Sequence, residues 1–365
     1  MKTKLYIAVL ITLSNFAFSQ SKLEKAKQYK DNYDYSKAIA LYEEVSKKRN
    51  IQKPEIIRDI AQSYIMLNDM ESAQQWLDKI NGLMVYSPKD LLNYAFTLKT
   101  TADYDMAISV FKKYEELFPH LSAKVPEWIE SCKMAEDWMN NPKLFNIQNL
   151  SNVNTEYSDF GATGFEDGIL FVSDRKEDNK SYKADEIFGW TGNPYLRAYH
   201  LPNMSEKDIH NEMDGINTTF HNGPGVFDKK NKVLYLTKTK LQKVKALSVN
   251  SNPTEFLEEN DNVSWINRLE IYTMEEKDGK WVNPKPFQYN NAEAYSVGHP
   301  ALSTDGNILY FVSDMPGSYG KSDIWYCTKK SDGSWFEPQN AGPKINTEDR
   351  EMFPVVDKDG TLYFS

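Results

Sequence analysis

Apolar residues recur at helical spacing over residues 22–140, and small residues within this stretch repeat with a fixed period. Three alanine pairs mark the repeat, and the two members of each pair are twelve residues apart: Ala26 and Ala38, Ala61 and Ala73, Ala95 and Ala107. Successive pairs are offset by 35 and 34 residues. This spacing predicts helix-turn-helix units in which two close-packed helices meet at the alanines.

Helix-start signals agree with this repeat. Ser87-Pro88-Lys89-Asp90 places a cap, a first-turn proline and an acidic residue in order, and Pro54-Glu55 opens the second unit similarly. An amphipathic stretch from Pro126 to Trp138 predicts a further helix that covers the end of the array. The period, the alanine positions and the large residue four after each second alanine resemble tetratricopeptide (TPR) repeats, although the tryptophan expected near the start of each first helix is missing.

The TPR resemblance implies a concave face formed by the first helix of each unit. This face is a candidate groove for a peptide or protein, and the alternative is that the array is a rigid spacer. Family spacing places seven residues on the face: Lys27, Lys30, Arg58, Gln62, Ile65, Phe96 and Lys99. Their mixed basic and apolar character suits a partly acidic partner.

After Asn141-Pro142 the pattern changes to short aromatic runs divided by Gly, Pro, Asn and Asp. The same strand-like run occurs four times, at residues 168–174, 233–237, 308–314 and 361–365. Related flanks precede the runs: Asn154-Thr155, Asn217-Thr218, Asn291-Ala292 and Asn346-Thr347. Outer strands open at Trp281 and Trp335, which are 54 residues apart, so the pattern predicts a repeated four-stranded unit.

Four-stranded repeats of this length are typical of β-propeller blades, and the detail resembles the WD40-like or TolB-like repeat. The expected fold is therefore a multidomain α-then-β chain, with a TPR α-solenoid over residues 20–142 and a propeller over 143–365. About four blades are visible, and the last is incomplete. Residues 145–150 occupy the place of a detached outer strand. Because a ring that ended at Ser365 would expose a strand edge, we expect the natural chain to continue.

Residues 1–19 have the character of a cleaved signal peptide. Lys2 and Lys4 precede an apolar stretch from Leu5 to Leu13, and Ala17-Phe18-Ser19 supplies small residues for a peptidase. The stretch is short for a transmembrane anchor, which is the rival interpretation. We therefore expect an exported protein.

Charge and composition exclude some functions. Removing Lys2 and Lys4 takes the formal net charge from −9 to −11, which disfavours nucleic acid as a partner. Cys132 and Cys327 are the only cysteines, and we expect two buried, unbonded thiols in preference to a disulfide. The five histidines show no metal-ligand spacing, so no metal or cofactor is predicted.

Catalytic signals are weak. No Gly-x-Ser-x-Gly elbow occurs, and Ser331–Trp335 is interpreted as a polar hairpin turn. Asp174, Asp314 and Asp323 recur with the strand repeat, which indicates turn chemistry in preference to paired glycosidase carboxylates, and His299 is expected to be a packing residue. The chain is predicted not to be an enzyme. A glycan- or small-ligand-binding propeller is the alternative, and a propeller hydrolase is a weaker one.

The order of signal peptide, TPR units and propeller repeats resembles OmpA-family envelope proteins of Bacteroidetes, and in particular the PorE-like component of the type IX secretion system. The resemblance implies a periplasmic location at the outer membrane and a partner among PorP/SprF-like outer-membrane proteins. It also implies peptidoglycan binding by an OmpA-like domain beyond residue 365. The expected function is a non-catalytic scaffold that links an outer-membrane complex to other envelope components.

Overall fold

The structure is a computed structural model, and it describes residues 21–48, 51–144, 146–151, 153–177, 180–202, 215–243, 265–278 and 280–365. The chain divides into two units. The first runs to Ile147 and includes Gly189–Gly192, and the second comprises Gln148–Phe188 and Asn193–Ser365. The predicted signal peptide and its cleavage site lie outside the described residues.

The first unit is built from antiparallel helix pairs. The described part of helix α1 covers residues 21–31. The helices that follow are α2 (Tyr35–Ser46), α3 (Pro54–Met66), α4 (Met70–Leu83), α5 (Pro88–Thr100), α6 (Tyr104–Leu117) and α7 (Val125–Asn140). A short 3-10 helix, Pro119–Leu121, precedes α7. The terminal helix predicted from Pro126 to Trp138 is therefore present.

The repeating alanines explain why the helices pack so closely. All six are at most 1% exposed and belong to one continuous core, because a methyl group lets the two helices of a pair approach each other. The predicted cap also forms: Ser87 Oγ accepts a hydrogen bond from Asp90 N (3.2 Å), and the Asp90 carboxylate accepts one from Ser87 N (2.7 Å). The helical unit is TPR-like in period and in packing.

Residues 189–192 belong to the first unit, and Trp190 is the aromatic residue of this loop that packs against the helices. Trp190 Nε1 donates a hydrogen bond to the Met66 carbonyl (2.7 Å). Its ring packs edge-on against Tyr35, with the ring centroids 4.8 Å apart. Trp190 is 7% exposed, so this loop adds to the hydrophobic packing of the helices.

The second unit consists of antiparallel strands. In chain order they are β1 (Asp159–Phe165), β2 (Gly168–Ser173), β3 (Arg197–Leu201), β4 (Asn222–Asp228), β5 (Val233–Lys243), β6 (Trp265–Lys277), β7 (Lys280–Pro286), β8 (Val297–Leu302), β9 (Ile308–Ser313), β10 (Asp323–Thr328), β11 (Gln339–Asn340), β12 (Val355–Val356) and β13 (Leu362–Tyr363). A short 3-10 helix, Ala184–Glu186, lies between β2 and β3.

These strands form four open sheets, and each is a meander of consecutive strands. The orders are β1-β2-β3, β4-β5-β6-β7, β8-β9-β10-β11 and β12-β13. The first strands are neighbours, since β4 lies beside β1 and β8, and β8 lies beside β12. Among the described residues no closed barrel or propeller is detected, so the repeat is shown only as a series of antiparallel sheets.

Adjacent sheets bury apolar side chains against each other. One cluster joins the first two sheets and includes Phe165, Leu234 and Trp281. Another joins the second and third sheets and includes Phe287, Phe311 and Trp335. The two tryptophans that marked the outer strands are thus core residues, at 6% and 5% exposure.

Residues 146–151 contain no strand, so the outer strand predicted at 145–150 is not found in its described part. Such a strand needs a partner edge, and no described strand pairs with this segment. No helix in the described ranges is long and apolar enough to cross a membrane.

Candidate protein-binding face and central pocket

The seven predicted groove residues lie on the first helices of successive pairs. Lys27 and Lys30 are on α1, while Phe96 and Lys99 are on α5. The other three, Arg58, Gln62 and Ile65, are on α3. All seven residues therefore lie on the helices that the repeat pattern assigned to the groove.

Polar contacts connect these first helices in order. Lys30 Nζ on α1 pairs with Asp59 on α3, and Gln62 Oε1 on α3 accepts from Asn93 Nδ2 on α5 at 3.5 Å. Lys99 Nζ on α5 donates to Ser131 Oγ on α7 at 2.7 Å. Three of the predicted groove residues, Lys30, Gln62 and Lys99, therefore also form side-chain contacts between neighbouring repeats.

The strongest of these bridges joins Arg58 to Asp90. Arg58 Nε lies 2.9 Å from both carboxylate oxygens, and Nη2 also donates to the Val85 carbonyl at 3.0 Å. Burial opposes ionisation of Asp90, which is 5% exposed. Hydrogen bonds from Arg58 and Ser87 outweigh burial and hold the pKa of this carboxyl below its usual value.

Pairing changes the expected charge of the face. Two of its four cations, Lys30 and Arg58, are matched by carboxylates on neighbouring first helices, so the face is less basic than the sequence predicts. Lys27 is exposed. Phe96 is 38% exposed, and its ring centroid lies 5.3 Å from that of Phe111 and 5.2 Å from that of Trp128. Lys27 and Phe96 are therefore the most accessible of the seven predicted residues.

In the second unit, the first strands of all four sheets converge on a pocket. It is lined by Gly161–Thr163, Pro224–Val226, His299–Leu302 and Phe353–Val356. Its volume of about 60 Å³ is enough for only a few water molecules. A smaller cavity of about 20 Å³ shares Pro224 and His299 with it and is also lined by His221.

The two histidines at this centre are neutral. Leu196 N donates to His221 Nδ1 (3.1 Å), so the ring proton of the neutral histidine is on Nε2. Burial, together with the charge of Arg197, lowers the pKa of His221 to about 3. Burial alone lowers that of His299 to about 4, and its ring stacks on Phe353 at a centroid distance of 4.4 Å. The stacking contact with Phe353 fits the packing role predicted for His299.

The carboxylates that recur with the strand repeat accept hydrogen bonds from the backbone of nearby loops. Asp174 Oδ1 accepts from Ser158 N (2.8 Å), and Asp314 Oδ1 accepts from Ser296 N (2.6 Å). Asp323 accepts from the backbone N–H groups of Tyr319 and Gly320. These bonds fit the turn role predicted from their recurrence.

One group of metal-ligand type occurs among the described residues. Glu166, Asp167 and His200 each place a ligand atom within 4.8 Å of the others, although the two acidic residues are exposed. Sequence spacing missed this group because β3 brings His200 beside the β1–β2 turn only after folding.

Both cysteines are buried and unbonded, one in each unit. Burial raises the pKa of both thiols, that of Cys327 to about 12. The thiolate is the reactive form of cysteine, so neither residue has the character of a nucleophile.

No protein-family model matches the chain, and no curated protein matches it. A solved structure that it resembles is the Sgt2 TPR domain from Aspergillus fumigatus, which is 18% identical. That similarity covers 36% of this chain and 89% of the Sgt2 chain, with a TM-score of 0.28.

Proposed function

We propose that this protein is a non-catalytic scaffold that binds other proteins through the face formed by α1, α3, α5 and α7. The observation that carries the proposal is the TPR-like array, in which successive first helices are fixed to one another by side-chain bridges. Such bridges hold a surface of several helices in one geometry, which is what recognition of an extended partner requires.

The second unit fits the same role. We infer that its four consecutive sheets are blades of a WD40-like β-propeller, because each is a meander and the first strands are neighbours. The carboxylates that recur with the sheets are held by backbone N–H groups. This arrangement supports a structural role for them and weakens the hydrolase alternative.

The pocket on which the first strands converge gives no support to the small-ligand alternative. Pockets for drug-sized ligands usually occupy roughly 300–1,000 Å³. The pocket at the centre of the sheets has a volume of about 60 Å³. A sugar ring does not fit in this space without movement of the surrounding strands.

The cellular setting is proposed from sequence resemblance. The N-terminal pattern of Lys2, Lys4 and the apolar stretch supports export to the periplasm. The repeat order supports a place beside an outer-membrane complex of the type IX secretion or gliding kind, with a PorP/SprF-like partner. Peptidoglycan binding is proposed only for a further OmpA-like domain.

The experiment is a comparative affinity purification from envelope fractions of the producing cells. Lys27→Glu combined with Phe96→Ala changes the two most accessible face residues, and Glu71→Lys on α4 is a charge-reversal control elsewhere on the array. We expect the double variant to recover about tenfold less of a specific envelope protein, because hot-spot residues carry most of an interface's energy. Equal recovery by the parent and both variants, with unchanged melting temperatures, refutes the proposed face.

A further inference from the structure

Two buried histidines line the smaller cavity at the centre of the second unit. His221 directly precedes β4 in the second sheet, and His299 lies on β8 in the third. Their side chains are only 6% and 3% exposed. Each ring has one buried nitrogen, His221 Nε2 and His299 Nδ1, without a hydrogen-bond partner among the described residues.

Unpaired polar atoms are unusual in a protein interior. Nearly all buried polar groups in folded proteins are hydrogen-bonded, either to other protein atoms or to ordered water, because an unsatisfied group loses its solvation without compensation. Two such nitrogens on the wall of one cavity therefore point to a ligand that both of them contact.

His221 Nε2 is a hydrogen-bond donor. Leu196 N donates to Nδ1 of this ring at 3.1 Å, so Nδ1 carries no proton. Burial, together with the charge of Arg197, lowers the pKa of His221, so the ring is neutral at neutral pH and its one proton is on Nε2. A protonated nitrogen has no lone pair for a metal ion. The ligand must therefore accept a hydrogen bond from His221.

Thr237 offers an acceptor on the same cavity wall. Its Oγ1 donates to the Pro224 carbonyl at 2.9 Å and accepts from His299 N, also at 2.9 Å. A hydroxyl group has one proton and two lone pairs, so one lone pair of Thr237 Oγ1 is still available. The ligand can therefore donate a hydrogen bond as well as accept one.

The cavity suits one small neutral molecule. A buried water molecule needs roughly 10–15 Å³ of such space and two to four polar partners. The cavity provides about 20 Å³, and both histidines and Thr237 line it. No charged side chain is among the described residues that line it, and a buried ion without a counter-charge is costly.

We propose that this cavity binds one ordered water molecule, which joins the second sheet to the third. The water accepts a hydrogen bond from His221 Nε2, shares one with His299 Nδ1 and donates one to Thr237 Oγ1. It is a structural ligand of the second unit. Its presence does not depend on the proposed protein-binding face of the helical unit.

Histidine-ring NMR of the full chain tests the water directly. The histidine rings are labelled with ¹⁵N, and cross-relaxation between ring N–H protons and water is measured at neutral pH. We expect His221 to carry its proton on Nε2 and to show a cross-peak to a long-lived water molecule. His120, which is exposed, is the internal control and should show only rapid exchange with solvent. Absence of the His221 cross-peak overturns the inference.

A variant tests the part played by His299. His299→Phe keeps a ring that can stack on Phe353 and removes both ring nitrogens. We expect the cross-peak between His221 Nε2–H and water to be lost, whereas His120→Phe should leave it unchanged. An unchanged His221 Nδ1 resonance shows that Leu196 N still donates to it in the variant. Persistence of the cross-peak in His299→Phe means that the water does not bridge the two sheets.

A crystal structure of the unmodified chain identifies the ligand and does not depend on the folding of a variant. We expect one peak of electron density at hydrogen-bond distance from His221 Nε2, His299 Nδ1 and Thr237 Oγ1. Crystals soaked in sodium bromide distinguish water from a halide ion, because bromide scatters anomalously. Anomalous density at this position, or a cavity without density, overturns the inference.

Discussion

Asp90 stabilises two helices at once. It closes the cap of α5 through Ser87, and it accepts Arg58 from α3 with both oxygens. A carboxylate that is 5% exposed needs such partners, because an uncompensated buried charge is costly. The residue therefore connects local helix formation with the stacking of one repeat on the next.

Removing this carboxylate should destabilise the helical unit. We expect Asp90→Ala to lower the free energy of unfolding by about 2–3 kcal/mol, since it removes a cap and leaves Arg58 without its anion. Urea unfolding followed by far-UV circular dichroism measures the change. Asp105→Ala, which removes an exposed first-turn carboxylate of α6, should cost only about 0.5 kcal/mol. Similar losses in the two variants would contradict the assigned role.

The buried histidines make the second unit sensitive to acid. The pKa of His221 is lowered to about 3 and that of His299 to about 4, whereas an unfolded histidine titrates near 6.5. Between those values the unfolded chain binds more protons than the folded one. The stability contribution is therefore complete above pH 6.5 and is lost as the pH falls toward 4.

A double variant tests this source of acid sensitivity. His221→Asn keeps an acceptor for Leu196 N, and His299→Asn suits a residue whose φ is 50°, because asparagine tolerates that backbone region. We expect the parent to lose on the order of 2–3 kcal/mol per histidine between pH 6.5 and pH 4. The double variant should lose much less. Parallel pH profiles for the two proteins would show that other groups control acid unfolding.

At the scale of single elements, the helix pairs depend on residue size at their crossing points. Ala38 on α2 is completely buried, whereas Ala40 on the same helix is exposed. We expect Ala38→Leu to destabilise the protein by about 1–3 kcal/mol through overpacking. Ala40→Leu, with the same change in volume and helix propensity, should be nearly neutral in thermal unfolding. Equal effects at both positions would argue against a tight helix crossing.

Close packing also limits side-chain size on the first strands of the sheets. Gly161 has a φ of 65°, and a Cβ added there would lie 2.8 Å from Pro224 Cγ. Gly164 on the same strand has no such neighbour within 4 Å. We expect Gly161→Ala to cost about 2–3 kcal/mol, from backbone strain and the clash with the next sheet.

Gly164→Ala is the control for that substitution and should change stability by less than about 0.5 kcal/mol. Urea unfolding with near-UV circular dichroism reports on the aromatic core between the sheets. A Gly161→Ala protein as stable as the parent would show that the first strands do not approach each other as described.

Sequence reasoning succeeds where a pattern is local. Alanine spacing locates the helix pairs, and the recurring runs at 168–174 and 308–314 locate β2 and β9, because packing and strand alternation act on neighbouring residues. It fails where a contact depends on the exact register of a loop. The recurring flank predicted Asn291, whereas the neighbouring Asn290 makes the hydrogen bonds to Ile271.

Side-chain contacts between residues far apart in the sequence could not be predicted either. The sequence placed Arg58 and Lys99 on a candidate groove of mixed basic and apolar character, and only the fold brings Asp90 and Ser131 within hydrogen-bond distance of them. Trp190 gave no repeat signal, although it packs against Tyr35 in the helical unit. Side chains that join distant segments have no fixed spacing, so periodicity does not reveal them.

At the scale of the whole molecule, the chain consists of two units that are each built from repeated elements. The helical unit presents Lys27 and Phe96 on its first helices, and the sheet unit has its recurring carboxylates bound to loop backbones. Repeat architectures of this kind commonly recognise other polypeptides. We propose that the face formed by the first helices, α1, α3, α5 and α7, contacts a protein partner.

Site-specific photo-crosslinking in the producing cells tests this contact. A photoreactive residue is placed at Lys27, at Phe96, and at Glu71 on α4 as the control, and the crosslinked proteins are identified by mass spectrometry. We predict that positions 27 and 96 capture the same envelope protein and that position 71 does not. Capture of unrelated proteins from the two face positions, or equal capture from position 71, would show that this face does not bind one partner.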